Sequence, residues 1–142
     1  MKNILVPIDG SDASLRALKT ALEMTQQQNI TYTLHVLNVQ APVISNNAAR
    51  FFSADVLQSY YQDEGQIALN KAKEVLNDSN SNYEMHIEVG QIAEVVKNYV
   101  TQKNCDHIVM GTRGLGAVPG LLLGSAATKI LSSVEVPVTL IK

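Results

Sequence analysis

Apolar residues recur along the chain in two alternating rhythms, one of strand type and one of helix type. Ile4 to Ile8 is a short apolar run of strand length. Ser11 and Asp12 are capping residues ahead of a helix whose face carries Leu15, Leu18, Ala21 and Leu22. Thr31 to Val39 predicts a long β-branched strand. After a loop near residues 40 to 54, Leu57, Tyr61, Ala68, Ala72 and Val75 share one side of a second helix that runs to about Asn77. Asp78-Ser79-Asn80-Ser81-Asn82 is a turn cluster. Met85 to Val89 predicts the third strand, and Ile92, Val95, Val96 and Tyr99 stand at the i, i+3, i+4, i+7 spacing of a third helix. Ile108 to Met110 predicts the fourth strand, Ala126 to Val134 the fourth helix and Val136 to Ile141 the last strand.

Strands that alternate with helices predict an α/β fold with a doubly wound, mainly parallel five-stranded sheet, because each crossover helix packs back on a sheet covered on both faces. The expected strand order is 3-2-1-4-5, a Rossmann-like arrangement with four helices. Such a sheet takes its ligand outside the C-terminal strand ends, where the strand order reverses. Two unusual loops fall at strand ends. One is Pro7-Ile8-Asp9-Gly10-Ser11; the other is residues 111 to 125, GTRGLGAVPGLLLGS. With strands one and four adjacent, both border one crevice.

The second loop holds five glycines in fifteen residues, a single cation in Arg113, and no carboxylate follows until Glu135. A glycine-dense loop can turn successive N–H groups toward one anion, and a nucleotide phosphate is the usual guest. Glycine spacing alone also suits a tight connection or a lid. Charge separates the readings: a merely solvated loop mixes Lys, Glu and Asp, whereas this one excludes acids. Gly124 and Ser125 fall where the fourth helix begins, with Ser125 placed to cap it or to bond a phosphate oxygen.

At 142 residues the chain is expected to form one domain, and its net charge of −2 argues against nucleic acid or an acidic membrane surface as a partner. Cys105 is the sole cysteine, so there is no disulfide framework and no Cys-based metal site. No apolar run approaches the ~18 residues of a membrane span, and the N-terminus carries no signal-peptide pattern. A cytoplasmic location is the expectation.

The glycine loop is not a dinucleotide fingerprint. Gly114, Gly116 and Gly120 follow the fourth strand rather than the first, and no acid stands about twenty residues on. Nor is it a Walker A loop, since Gly124-Ser125 is preceded by leucines and no lysine. The spacing Gly111-x2-Gly114-x9-Gly124-Ser125 instead resembles the ATP-binding signature of the universal stress protein family. Ile4-Leu5-Val6-Pro7-Ile8-Asp9-Gly10-Ser11 resembles that family's first strand and loop. Leu34-His35-Val36, Val109-Met110-Gly111 and Val136-Pro137-Val138 are similar to its second, fourth and last strands. The resemblance spans nearly the whole chain, residues 1 to 142.

That resemblance implies an adenine nucleotide, ATP or else ADP or AMP, and a position-by-position site. Asp9, with the backbone at Pro7 and Val36, holds the adenosine end, and Met110 and Gly111 line the ribose side. Thr112, Arg113 and Gly114, then Gly124, Ser125 and Ala126, surround the phosphates. Pro119 departs from the pattern by removing one N–H from the loop. No family contact maps onto Gln40 to Ala54.

Hydrolysis needs a base or a water-positioning group near the terminal phosphate, and no Asp, Glu or His occurs from Ile108 to Val134. His35 and His86 lie inside strands and His107 at the far end of its own, so all three read as structural. No catalytic residue is expected, and Mg²⁺ or Mn²⁺ is expected only through the phosphates and water. Three readings follow: a nucleotide-dependent stress-response regulator with little or no ATP hydrolysis; an ATP-hydrolysing or adenylating enzyme; and a nucleotide-free dimeric interaction protein. Val136 to Ile141, apolar on both faces yet at the sheet's edge, predicts a homodimer through that strand, as the resemblance also implies. A further protein partner is expected but not identifiable. Phe51 and Phe52, beside Arg50, read either as a partner surface or as core.

Overall fold

In the computed structural model residues 2–26, 30–43, 51–115, 119–120 and 122–142 are described. The elements run β1 Lys2–Pro7, α1 Asp12–Gln26, β2 Tyr32–Gln40, α2 Ala54–Leu76, β3 Asn82–Val89, α3 Ile92–Gln102, β4 His107–Gly111, α4 Ser125–Leu131 and β5 Val138–Ile141. The strands form one sheet in the expected order, β3-β2-β1-β4-β5, and every pair is parallel.

Strand alternation splits the core in two. Ile4, Val6, Leu34, Val36 and Val109 face α1 and α2, where they meet Leu18, Ala21, Leu69 and Leu76. Leu5, Leu37, Ile108 and Met110 face α3 and α4, against Val96, Tyr99, Ala127 and Ile130. Helices therefore cover both faces, which is why β1, β2 and β4 read as unbroken apolar runs.

Several boundaries differ from expectation for tertiary reasons. β3 begins at Asn82, not Met85, because β2 offers it a ladder from Thr33 onward whatever its side chains. β5 begins at Val138, because Pro137 has no N–H to give, although its carbonyl still accepts from the Ile108 amide at 3.0 Å. α4 starts at Ser125 and ends at Leu131, its last turn tightened by Ser133 N–H donating to the Ile130 carbonyl at 2.9 Å. On α1 the capping residue is Ser11, whose Oγ accepts from the Ser14 amide at 3.2 Å, while Asp12 is already helical. On α2 the core is carried by Leu69 and Leu76 as well as Ala68 and Ala72; Leu57 is half-buried.

The three histidines are hydrogen-bonded, as a structural role requires. His35 Nε2 lies 3.0 Å from Asn3 Oδ1, which can only accept, so that nitrogen carries the proton. His35 Nδ1 therefore accepts from the Tyr99 hydroxyl at 3.2 Å, and the Tyr99 oxygen accepts from His86 Nδ1–H at 2.7 Å. Burial holds the His35 pKa below its usual 6.5, against an opposing pull from Glu84, whose Oε2 is 3.3 Å away. His107, bonded to Thr139 Oγ1 at 2.7 Å, is likewise depressed by burial. The sign follows. Unfolded imidazoles take up protons near pH 6.5, before the folded ones do, so stability is complete above that value and is lost as the pH falls toward the folded values. Thermal melts from pH 7.5 to 5 are expected to show a falling Tm, with a shallower slope in His35→Gln. A flat Tm across that range would contradict this.

Candidate functional site

At the C-terminal edge of the sheet, crossovers leave β1 and β4 in opposite directions and open a crevice. Its cavity measures about 430 Å³, within the ~300–1,000 Å³ typical of small-molecule sites. All the sequence-predicted site residues except Val36 line it: Pro7, Asp9, Met110, Gly111, Thr112, Arg113, Gly114, Gly124, Ser125 and Ala126.

Val36 is not brought there. Its side chain is in the core under α1 and α2, and its backbone is turned toward β3. Leu37 and Val39 line the cavity instead, with Ile92 from the start of α3 and Ile130 from α4. The Leu37 carbonyl accepts from Ile8 at 2.8 Å, and the Gln40 carbonyl accepts from Gly90 at 3.0 Å on the opposite side. Successive residues of a strand turn their amide and carbonyl to opposite neighbours, so Val39 presents both toward β1. β1 ends at Pro7, so those groups face the crevice. The signal that could have found Val39 is the period-2 alternation of β2 counted from the end of β1.

The glycine loop is tied at its base: the Gly124 amide donates to the Thr112 carbonyl at 2.6 Å, and the Thr112 amide to Ile141 at 2.8 Å. Gly124 is the N-cap of α4 and Ser125 is already its first helical residue, so the cap position is not Ser125's. The first intrahelical amide bond is Thr128 N–H to Gly124 at 3.1 Å, which leaves the amides of Ser125, Ala126 and Ala127 without a helical acceptor. α4 is only seven residues long, so these donors, rather than a long helix dipole, are its offer to an anion.

Arg113 is exposed at the rim and forms no ion pair among the described residues. Among the described residues Asp9 is the only carboxylate lining the cavity, and no histidine does. Its Oδ1 accepts from the Ser11 amide at 2.9 Å and its Oδ2 from the Leu115 amide at 3.1 Å. Gly111 packs on α1: a methyl group there would sit 3.0 Å from Ala13 Cβ. Among the described residues no cluster of His, Cys, Asp and Glu could hold a metal, and no helix is long and apolar enough to cross a membrane. Gly116, Arg50 and most of the segment between Gln40 and Ala54 lie outside the described residues. Phe51 and Phe52 are exposed rather than core, and burial pushes the Cys105 thiol up to about 12, which leaves it inert.

An apolar slot beside a strand end, continuous with helix-start amides that have no helical acceptor and with a cation, suits a planar heterocycle carrying an anionic tail. The family model described as "Universal stress protein family" matches residues 1–142. The chain belongs to the universal stress protein family. It is 30% identical over 142 residues to universal stress protein MJ0531 of Methanocaldococcus jannaschii, covering 99% of this chain and 82% of that one. Among solved structures it resembles universal stress protein UspA of Lactobacillus plantarum, with a TM-score of 0.82, 25% identity and coverage of 99% and 97% of the two chains. A universal stress protein family member of Arabidopsis thaliana, solved with AMP bound, matches at a TM-score of 0.68 and 20% identity, covering 100% of this chain and 92% of that one.

Proposed function

We infer that this universal stress protein is an ATP-binding, nucleotide-dependent stress-response regulator of the cytoplasm with little or no hydrolytic activity. The observation that carries the reading is the crevice itself, which brings the first amides of α4, at Ser125, Ala126 and Ala127, together with Arg113, which has no ion pair among the described residues. The base occupies the slot formed by Leu37, Val39 and Ile92, where the Val39 amide and carbonyl offer one donor and one acceptor to its edge. Met110 and Gly111 flank the ribose, and the phosphates lie against Thr112–Gly114 and Gly124–Ala126. Asp9 keeps spare lone pairs for the nucleoside. The AMP bound to the Arabidopsis relative supports the ligand class. Mg²⁺ or Mn²⁺, held by phosphate oxygens and water, adds charge neutralisation when bound. Hydrolysis is slow in this reading because Asp9, the only lining carboxylate, is engaged by two amides.

Titration calorimetry of the purified protein is expected to show binding of ATP and none of NAD, with Arg113→Ala weakening ATP by roughly 1.5–3 kcal/mol, the range for a charge-assisted hydrogen bond. Turnover of ATP with Mg²⁺ is expected far below the ~10 s⁻¹ of a median enzyme. Absence of ATP binding would sink the assignment, and turnover near that rate would make the protein an ATPase.

The same reading includes a homodimer through β5. Both sheet edges are open, but β3 carries Glu84 and Glu88, whereas Val138–Ile141 has no charged side chain. Charge on an edge strand opposes pairing with another chain, so the bare edge is the one suited to a two-fold partner.

A further inference from the structure

We propose that Asp9 is a positioning residue for the anion loop: its carboxylate latches the glycine loop to the end of β1 and presets the amides that meet phosphate. For its ligand this rests on the nucleotide reading above. The Leu115 amide that donates to Asp9 Oδ2 stands 106 residues away in sequence, so the bond joins two separate walls of the crevice. Oδ1 is held by the Ser11 amide at 2.9 Å, which fixes the carboxylate before it reaches across. Gly114 makes the reach possible, because a methyl group there would overlap Oδ2. A side chain at 114 would therefore have to displace the carboxylate from the Leu115 amide. The loop's other tie is the Gly124 amide on the Thr112 carbonyl at 2.6 Å. Together the two bonds hold segment 112–115 between the end of β1 and the start of α4.

Electrostatics demands such a role. A carboxylate lining an anion site repels the ligand, so its presence there has to bring a compensating structural gain. Two chain amides orient it and stabilise its charge away from the start of α4. A loop ordered before binding loses less entropy on binding, and a bond from an amide to an ionised acceptor is among the stronger ones available to order it.

The test uses the full chain in two measurements. Without nucleotide, NMR hydrogen exchange at the Leu115 amide is expected to speed up about tenfold in Asp9→Ala, the effect of losing one charge-assisted bond, with Asp9→Asn between because it keeps one acceptor. In titrations, Asp9→Ala is expected to weaken ATP about tenfold more than adenosine, since preset amides serve only the phosphates. Gly114→Ala, which keeps the carboxylate but displaces it, is expected to show the same skew, with thermal melts reporting that the fold is intact. Equal losses for ATP and adenosine, or an unchanged Leu115 exchange rate in Asp9→Ala, would overturn the proposal. If wild-type protein binds neither ligand, the nucleotide reading fails, while the exchange measurement still decides the latch.

Discussion

Gly124→Val is expected to abolish ATP binding while the protein stays folded, and Gly124→Ala to leave most of it. The backbone at Gly124 has φ −75° and ψ 170°, an extended conformation open to any residue, so neither change strains the chain. A Cβ there would lie 3.4 Å from the Thr112 oxygen and from Arg113 Cα, which is ordinary contact. The alanine methyl therefore fits against the loop. The two further methyls of valine have only two places to go. They enter the cavity where phosphate lies, or they push Thr112–Gly114 away from α4 and separate the two groups of amides. Either way several hydrogen bonds to an anion are lost together, and at ~1.5 kcal/mol or more for each such bond the loss exceeds a hundredfold. Titration of both variants, with thermal melts as the folding control, checks it. Wild-type affinity in Gly124→Val would remove this loop from the site.

Val138→Pro is expected to convert a dimer to a monomer without disturbing the crevice. In the β4·β5 ladder the Ile108 amide bonds to Pro137 and the Thr112 amide to Ile141, so residues 137, 139 and 141 face β4. Val138 and Leu140 turn their amides and carbonyls outward. Proline at 138 removes an outward N–H that the sheet itself does not use, and it occupies an edge position where proline is tolerated. Two-fold symmetry doubles the loss. The dimer constant is expected to weaken on the order of a hundredfold once the ring's steric bulk is added to the missing bonds. Val138→Asp is a poorer probe of the edge, because the Val138 side chain packs against the cluster of Leu5, Ile108 and Ile130. Light scattering at micromolar concentrations decides the matter. A monomeric wild type, or a dimeric Val138→Pro, refutes pairing through β5.

Element order, the two-faced sheet and the two crevice loops were legible from residues alone, because hydrophobic periodicity and glycine content are local properties. Asp9, Arg113 and Gly124 stood out for the same reason: they interrupt apolar patterns with chemistry. Val36 in place of Val39 shows where that reasoning stops. The choice depends on where β1 ends beside β2, and no local pattern records a register between strands. Ile92, at the start of α3 some fifty residues from Val39, reads in sequence only as the first turn of a helix. Ser125 read as a cap because its residue type favours capping, but packing of the loop against α4 gave that position to Gly124.

The chain's composition and periodicity by themselves determined an α/β sheet with a glycine-rich, acid-free loop after its fourth strand. The stretch from Ile108 to Val134 holds no Asp, Glu or His, which is equally plain from the sequence. Only the tertiary structure decided which residues of β2 line the crevice, what a side chain at Gly114 would meet, and which amides Asp9 accepts from. Each of those depends on a contact between residues remote in sequence, such as Asp9 with Leu115 or Leu37 with Ile8. Such contacts follow from the packing of whole elements, and the residues that make them carry no local mark of their partners.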